Sequence, residues 1–309
     1  MAKSVSTKSQ AAPVSKAATA GKKNSELIIG RIKVSTTNRN KIYFPKEGIT
    51  KGMVIDYYQA MADYILPYLK DRPQSLKRNV NGIEGKSFFQ KDASDDTPSW
   101  VKTFPVYAES VNKEIDYIIC NNKATLAYLN NLGCIEINPW NSTIKSLDKP
   151  DYFIIDLDPS AKNTFDQVIE AALAVKKVLD KAGSVSFCKT SGATGMHIYV
   201  PLGKKYLYAE ARDFAEIICN IAKEQLPFAS MERNLKARGD KLYLDYLQNS
   251  RGQTLAAAYS LRPHPGATVS TPLDWEEVKP GLHPSAFNIN TVPQRVKKTK
   301  DLFSGILGK

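Results

Sequence analysis

The residues best equipped for chemistry are the carboxylates of Asp151-Tyr-Phe-Ile-Ile-Asp156-Leu-Asp158-Pro159. The run reads as a strand, and strand side chains alternate, so Asp156 and Asp158 project from one face. Two carboxylates at that spacing repel, and the end of an apolar strand offers little water to screen them. Either one takes up a proton or a cation sits between them. Hard divalent ions such as Mg²⁺ and Mn²⁺ favour oxygen ligands of this kind and keep positions open for phosphate oxygens. An isolated DxD is also what a solvated strand end looks like, and the pattern by itself leaves both readings open.

A third acid, Asp245, lies in Lys241-Leu-Tyr-Leu-Asp245-Tyr-Leu. A lone Asp in an apolar strand needs a partner or an ion, and an ordinary salt bridge would serve. If that strand lies beside the first, three carboxylates converge. Two divalent ions held there could activate a 3′-hydroxyl, neutralise a triphosphate and stabilise departing pyrophosphate. Between the acids runs Lys189-Thr-Ser191-Gly192-Ala-Thr194-Gly195-Met-His197-Ile-Tyr-Val-Pro201, a strand, a turn of small residues and a second strand. Its glycines bare backbone N–H groups, and Ser191 and Thr194 add hydroxyls, so the turn can cradle phosphate. His197 would then point into the same site as a further phosphate donor, although a lone strand histidine is commonly a satisfied core residue.

Other elements must hold these residues in place. From Thr50 one helix is predicted, with Met53, Tyr57, Met61, Tyr64 and Tyr68 as its core stripe. Segments 86–91 and 115–120 read as strands, and 122–132 as a helix stopped by Gly133. Segment 151–157 reads as a strand closed by Pro159. Thr164 and Gln167 fit a capping box that opens a helix ending near Gly183. Segments 185–189, 196–201, 241–247 and 255–259 read as strands, and 208–226 as a long amphipathic helix. Alternating strands and helices predict a mixed α/β (α+β) class. Residues 1–24, rich in Ala, Ser, Thr and Lys, are predicted to be a disordered basic tail. Residues 25–309 read as one domain, with no linker-like stretch dividing them.

The 309-residue chain carries a formal net charge of +12. Five lysines and no acids fall in residues 1–24, which leaves seven of those charges on the remainder. A basic body suits a polyanion such as nucleic acid, although a soluble basic protein without such a partner has the same composition. The four cysteines, Cys120, Cys134, Cys188 and Cys219, have no zinc-knuckle spacing and suggest no disulfide framework, so a reducing cytosol fits. No apolar run reaches the length of a membrane span. A cytoplasmic, nucleoid-associated protein with no membrane partner is expected.

The order DxD, then SGxxGxH closing on Pro201, then the Asp of Tyr243-Leu-Asp245-Tyr-Leu-Gln-Asn249 resembles the three catalytic motifs of the archaeo-eukaryotic primase superfamily. The closer resemblance is to the polymerase domain of bacterial DNA ligase D, an end-joining enzyme. Further segments look like that domain: Thr37-Asn38-Arg-Asn-Lys41-Ile-Tyr-Phe-Pro45, Thr50-Lys51-Gly52, Phe88-Phe89-Gln90-Lys91, Gly133-Cys-Ile-Glu-Ile-Asn138-Pro-Trp140, Tyr259-Ser-Leu-Arg262, and Lys298-Thr-Lys-Asp-Leu-Phe303. The similarity runs from Leu27 to the C-terminus, and its specificity comes from many ordered motifs.

The resemblance implies an RNA-recognition-like antiparallel sheet carrying the acids, packed against an N-terminal α/β portion. It implies that Asp156, Asp158 and Asp245 hold two catalytic ions, Mn²⁺ or Mg²⁺. Ser191, His197 and Arg262 would grip a nucleoside triphosphate, with Thr194 and Asn138 beside them. Asn38, Lys41 and Lys51 would form a pocket for a DNA 5′-phosphate. Lys77 would sit near the template, and Phe88 or Phe89 would stack on a base, although one of two adjacent strand aromatics ordinarily faces the core. Lysines neutralise phosphate without reading sequence and aromatic faces accept any base, while an exposed lysine is ordinarily just solvated.

Two positions depart from the family pattern. Asn138 stands where a histidine is common and cannot carry charge, and Thr194 stands where a basic residue is common. The implied activity is primer extension, gap filling and end addition, with ribonucleotides preferred, during double-strand break repair. Gapped duplex DNA with a 5′-phosphate, Ku and an ATP-dependent DNA ligase are the implied partners. A sugar-nucleotide transferase also uses DxD with Mn²⁺, but it gives no reason for a third strand acid or a basic body. A non-catalytic DNA-end scaffold would give no reason for intact acids.

Overall fold

The computed structural model describes residues 25–108 and 112–308, so the predicted tail lies outside the described residues. The first half opens with two small hairpins, β1 (Ser25–Ile29) with β2 (Ile32–Thr36) and β3 (Ile42–Phe44) with β4 (Ile49–Thr50). Helices α1 (Lys51–Ala60) and α2 (Ala62–Leu69) follow. Thr50 caps α1 by accepting from Met53 N–H at 3.2 Å. The single helix expected from Thr50 is thus two, interrupted at Met61. Tyr57, Met61 and Tyr68 are buried as the stripe requires, but Met53 is 42% exposed. Then come β5 (Gln74–Arg78), β6 (Phe88–Gln90), β7 (Thr103–Ala108), β8 (Lys113–Ile118), α3 (Lys123–Asn131) and β9 (Cys134–Pro139). Asn122 caps α3, and Gly133 stops it at φ +86°.

The second half holds β10 (Tyr152–Asp158), α4 (Phe165–Lys181), β11 (Phe187–Thr190), β12 (Met196–Pro201) and α5 (Tyr208–Lys223). It continues with β13 (Ala229–Ser230), α6 (Leu235–Arg238), β14 (Leu242–Asp245), β15 (Pro272–Leu273) and α7 (Val292–Thr299). The Thr164/Gln167 capping box opens α4 as predicted. One six-stranded sheet has the order β13-β14-β10-β12-β11-β15, antiparallel at every pairing except β13 with β14. The mixed α/β class is therefore observed. α4 and α5 pack on each other and on β10, so Phe153, Ile155 and Leu157 are buried. A continuous apolar core joins residues of both halves, from Val34 to Ile306.

One predicted strand is absent. Segment 255–259 is an irregular crossing between the halves: Ala257 N–H donates to Ile137 O of β9 at 3.0 Å, Tyr259 N–H to Ser270 O at 2.7 Å, and Tyr259 has φ +67°. The run Leu255-Ala-Ala-Ala-Tyr259 is apolar throughout, but its backbone groups serve two different neighbours rather than one ladder. Other strands are shorter than expected. β14 ends at Asp245 because that carboxylate accepts from Leu247 N–H and turns the chain.

Candidate active site

The register of the six-stranded sheet assembles the acids. Asp156 lies opposite Asp245 across β10/β14, and Asp158 lies opposite Tyr243. Directly paired residues point to the same side, as do residues two apart, so the three carboxylates share one face. Burial, then Asp158 and Asp245, push the Asp156 carboxyl up to about 8. Burial also raises Asp158, aided by Asp245 and opposed by Arg238. Asp245 is tied down locally: Oδ1 accepts from Leu247 N–H and Oδ2 from Gln248 Nε2, both at 2.8 Å. Among the described residues no three such side chains close into a ready-made metal cage. The donor set nonetheless fits a hard divalent ion, since Mg²⁺ typically takes one or two carboxylates and completes its shell with water and substrate phosphate. A carboxylate raised by its neighbours is also one that a cation would restore to the charged form.

On the other side of β10, Asp156 is paired with His197 of β12, and His197 with Lys189 of β11. His197 Nε2 is 3.4 Å from Asp156 Oδ1. Burial, then Lys189 and Arg262, hold His197 well below the usual imidazole range, so it is neutral.

The turn between β11 and β12 is shaped by its small residues. Ser191 Oγ accepts from Ala193 N–H at 3.1 Å and Gly195 N–H at 3.0 Å, which leaves its own O–H to donate. A Cβ on Gly195 would be driven into the Leu157 carbonyl oxygen, and one on Gly192, which has φ +75°, into Arg262 Cγ. Arg262 is drawn in from the later loop: Nη1 donates to Ser191 O at 2.6 Å, and Nε lies 2.8 Å from Glu136 Oε2. Thr194 is exposed at the tip of the turn. Asn138 is buried on β9, and its Nδ2 has no partner among the described residues.

Asn38, Lys41 and Lys51, the residues expected to receive a 5′-phosphate, lie together at the start of α1. Lys51 N–H donates to Lys41 O at 2.8 Å and Gly52 N–H to Arg39 O at 2.7 Å, which staples the Asn38 turn (φ +53°) to the helix. Arg39 is neutralised by both Asp56 oxygens. Lys41 reaches Asn81 Oδ1 at 2.6 Å. Lys51 is buried rather than solvated, reaches Thr37 Oγ1 at 3.3 Å, and is lowered to about 8 by burial and then by Lys41, Arg78 and Arg39. A buried lysine crowded by cations is one that an anion would stabilise.

Neither Phe88 nor Phe89 faces the core: they are 45% and 58% exposed. Among the described residues β6 is an edge strand paired with β5 alone, in the order β6-β5-β9. Arg78 lies over the Phe88 ring and Lys77 over the Phe89 ring. Lys77 Nζ is also 3.6 Å from Glu136 Oε2.

Two site residues escaped the sequence reading. Glu136 is buried between Arg262 and Lys77, and Lys189 is buried beside His197. Each is a charged residue in an otherwise apolar strand, the signal that did single out Asp245.

A family model described as LigD, primase-polymerase domain, matches residues 50–303. The chain is 37% identical over 268 residues to the bifunctional non-homologous end joining protein LigD of Bacillus subtilis, covering 86% of this chain and 43% of that protein. It is 32% identical over 290 residues to the multifunctional non-homologous end joining protein LigD of Pseudomonas aeruginosa, covering 92% of this chain and 32% of that protein. The chain thus spans less than half the length of these relatives. Among solved structures, the polymerase domain of Mycobacterium tuberculosis ligase D in complex with DNA superposes with a TM-score of 0.82 at 27% identity, covering 89% of this chain and 98% of that one.

Proposed function

The chain belongs to the LigD primase-polymerase domain family, and on that premise we propose that it is a nucleotidyltransferase that extends a DNA 3′-end at breaks and short gaps during end joining. The observation that carries this reading is the placing of Asp156, Asp158 and Asp245 on one face of adjacent strands, beside the Ser191 turn and Arg262.

In this reading Asp156, Asp158 and Asp245 hold two divalent ions, Mn²⁺ or Mg²⁺. Such ions acidify the attacking 3′-hydroxyl and neutralise charge on the leaving pyrophosphate. The remaining work falls to the chain. Arg262, braced by Glu136, and the Ser191 hydroxyl hold the triphosphate of the incoming nucleotide. His197, neutral, offers an N–H without adding charge. Asn138 and Thr194 lie at the edges of this grip. Lys51, Lys41 and Asn38 receive the 5′-phosphate on the far side of a gap, which fixes the distance to the 3′-end. Lys77 neutralises the template backbone, and an exposed ring of Phe88 or Phe89 stacks on a base.

The reading extends to a preference for ribonucleotides, to Ku and an ATP-dependent ligase as partners, to a cytoplasmic, nucleoid-associated location, and to residues 25–309 acting as one domain. Among the described residues no helix is long and apolar enough to cross a membrane.

Primer extension on a gapped duplex tests it, comparing ribo- with deoxyribonucleotides, Mn²⁺ with Mg²⁺, and a 5′-phosphate with a 5′-hydroxyl. Incorporation that needs the metal and favours the phosphorylated gap is expected. DNA binding with no incorporation under any combination would leave the chain as an end-binding scaffold.

A further inference from the structure

We propose that Asn131 is a positioning residue that sets Thr37, and through it the Lys51 amine, to receive the 5′-phosphate of a gap. The inference rests on the reading of Asn38, Lys41 and Lys51 as the receiver of that phosphate.

These residues follow the end of a two-stranded sheet. Among the described strands β2 pairs with β1 alone and ends at Thr36. The chain then enters the Asn38 turn, where φ is +53°. A strand end with one unpaired edge needs partners for its backbone groups. Asn131, the last residue of α3, supplies them from its side chain. Oδ1 accepts from Thr37 N–H at 2.9 Å, and Nδ2 donates to Ser35 O at 3.1 Å. The amide carries an acceptor and a donor side by side, so it stands in for one peptide of a neighbouring strand. The two contacts also fix its orientation, because the reverse one would set N–H against N–H and oxygen against oxygen.

Thr37 is held at the point where it meets Lys51. Thr37 Oγ1 accepts from Lys51 Nζ at 3.3 Å. Among the described residues it is the one hydrogen-bond partner of that buried amine, and the rest of the amine is left to an anion. The far side of the turn is tied to α1 by the bonds from Lys51 N–H to Lys41 O and from Gly52 N–H to Arg39 O. Asn131 is the tie on the near side. α3 packs on both β2 and α1, so one helix sets the two elements that carry the phosphate receiver, and a misplaced receiver would shift the gap relative to the acids.

Primer extension on gaps with a 5′-phosphate or a 5′-hydroxyl, together with hydrogen exchange of the Thr37 amide, tests this in the intact protein with Mn²⁺. In the unaltered protein the Thr37 amide should exchange slowly, and kcat/KM should favour the phosphorylated gap. Asn131→Ala should cut that preference about tenfold, by raising KM for the phosphorylated gap rather than by lowering kcat. Thr37→Val keeps the backbone N–H and discards the hydroxyl, and should cut the preference by a similar factor. In the double variant the two losses should fall short of adding, because both act through the one Thr37–Lys51 contact.

Fully additive losses, or an equal loss on both gaps from Asn131→Ala, overturn the proposal and leave Asn131 as a residue that only supports the fold. A Thr37 amide that exchanges as fast as an exposed loop amide overturns it whether or not any variant folds. If the unaltered protein prefers the phosphate and Asn131→Ala keeps the full preference, the positioning fails and the phosphate reading stands. An unaltered protein with no preference sinks the phosphate reading itself, and the positioning with it.

Discussion

Asp156 and Asp245 face each other across the β10/β14 ladder, although 89 positions separate them in the chain. Like charges directly opposite in a sheet are destabilising, so the pair is held there at a cost that a proton on one of them or a bound cation must relieve. A fold that needed nothing from these side chains would place a neutral residue at one of them.

Asp156→Asn should therefore remove activity and improve the apo fold together. Loss of a ligand that stabilises transition-state charge is worth several kcal/mol, or at least about 10³-fold in kcat. In chelator, the folded protein keeps a proton on Asp156 up to about 8, whereas the unfolded chain releases it near the usual carboxylate value. Between those limits the unfolded state binds fewer protons, so stability falls as pH rises. The variant's gain in Tm should grow from pH 4 to 8 and level off above. A Tm gain that does not vary with pH would contradict the raised carboxyl.

Glu136 stands between Arg262 and Lys77, 2.8 Å from one and 3.6 Å from the other. Glu136→Gln keeps the shape and discards the charge, freeing both cations. The KM for the nucleotide should rise about tenfold, with about 1–3 kcal/mol lost in urea unfolding, the range for leaving a buried polar group without its partner. A variant with unchanged KM would show that Arg262 needs no brace.

Lys51 is held at about 8 by burial and by neighbouring cations, well below the usual lysine range. Its charge, and so the preference for a 5′-phosphorylated gap, should fade as pH rises from 7 past 8, with bound phosphate delaying the loss. Lys51→Arg, which stays charged, should keep the preference to higher pH. Binding of phosphorylated and unphosphorylated gaps measured between pH 7 and 9.5 decides this, and parallel curves for the two proteins would rule Lys51 out.

Phe88 and Phe89 are both exposed on the β6 edge. Conversion of each to Ala should change stability by no more than about 0.5 kcal/mol. The ring that stacks on a base should cost about 1–3 kcal/mol in DNA affinity when removed. If DNA affinity survives loss of both rings, they serve another surface.

Local chemistry was legible in the sequence because it depends on near neighbours. Alternation put Asp156 and Asp158 on one face, Thr164 and Gln167 announced the start of α4, and Gly133 the end of α3. The Ser191–Gly195 turn declared itself by its small residues. The alternation of strand-like and helix-like segments along the chain was enough for the mixed α/β class.

What the tertiary structure decided was which distant groups share a space. Nothing near Asp245 says that β14 lies against β10. Nothing near Lys189 says that Ala256 and Ser270 will close around its amine. The apolar run at 255–259 looked like a strand, yet its backbone was claimed by β9 on one side and Ser270 on the other. Phe88 and Phe89 stayed in solvent because β6 is an edge. Burial and pairing are properties of the assembled neighbourhood, and a charge buried by partners far along the chain leaves no trace in its own segment beyond seeming out of place.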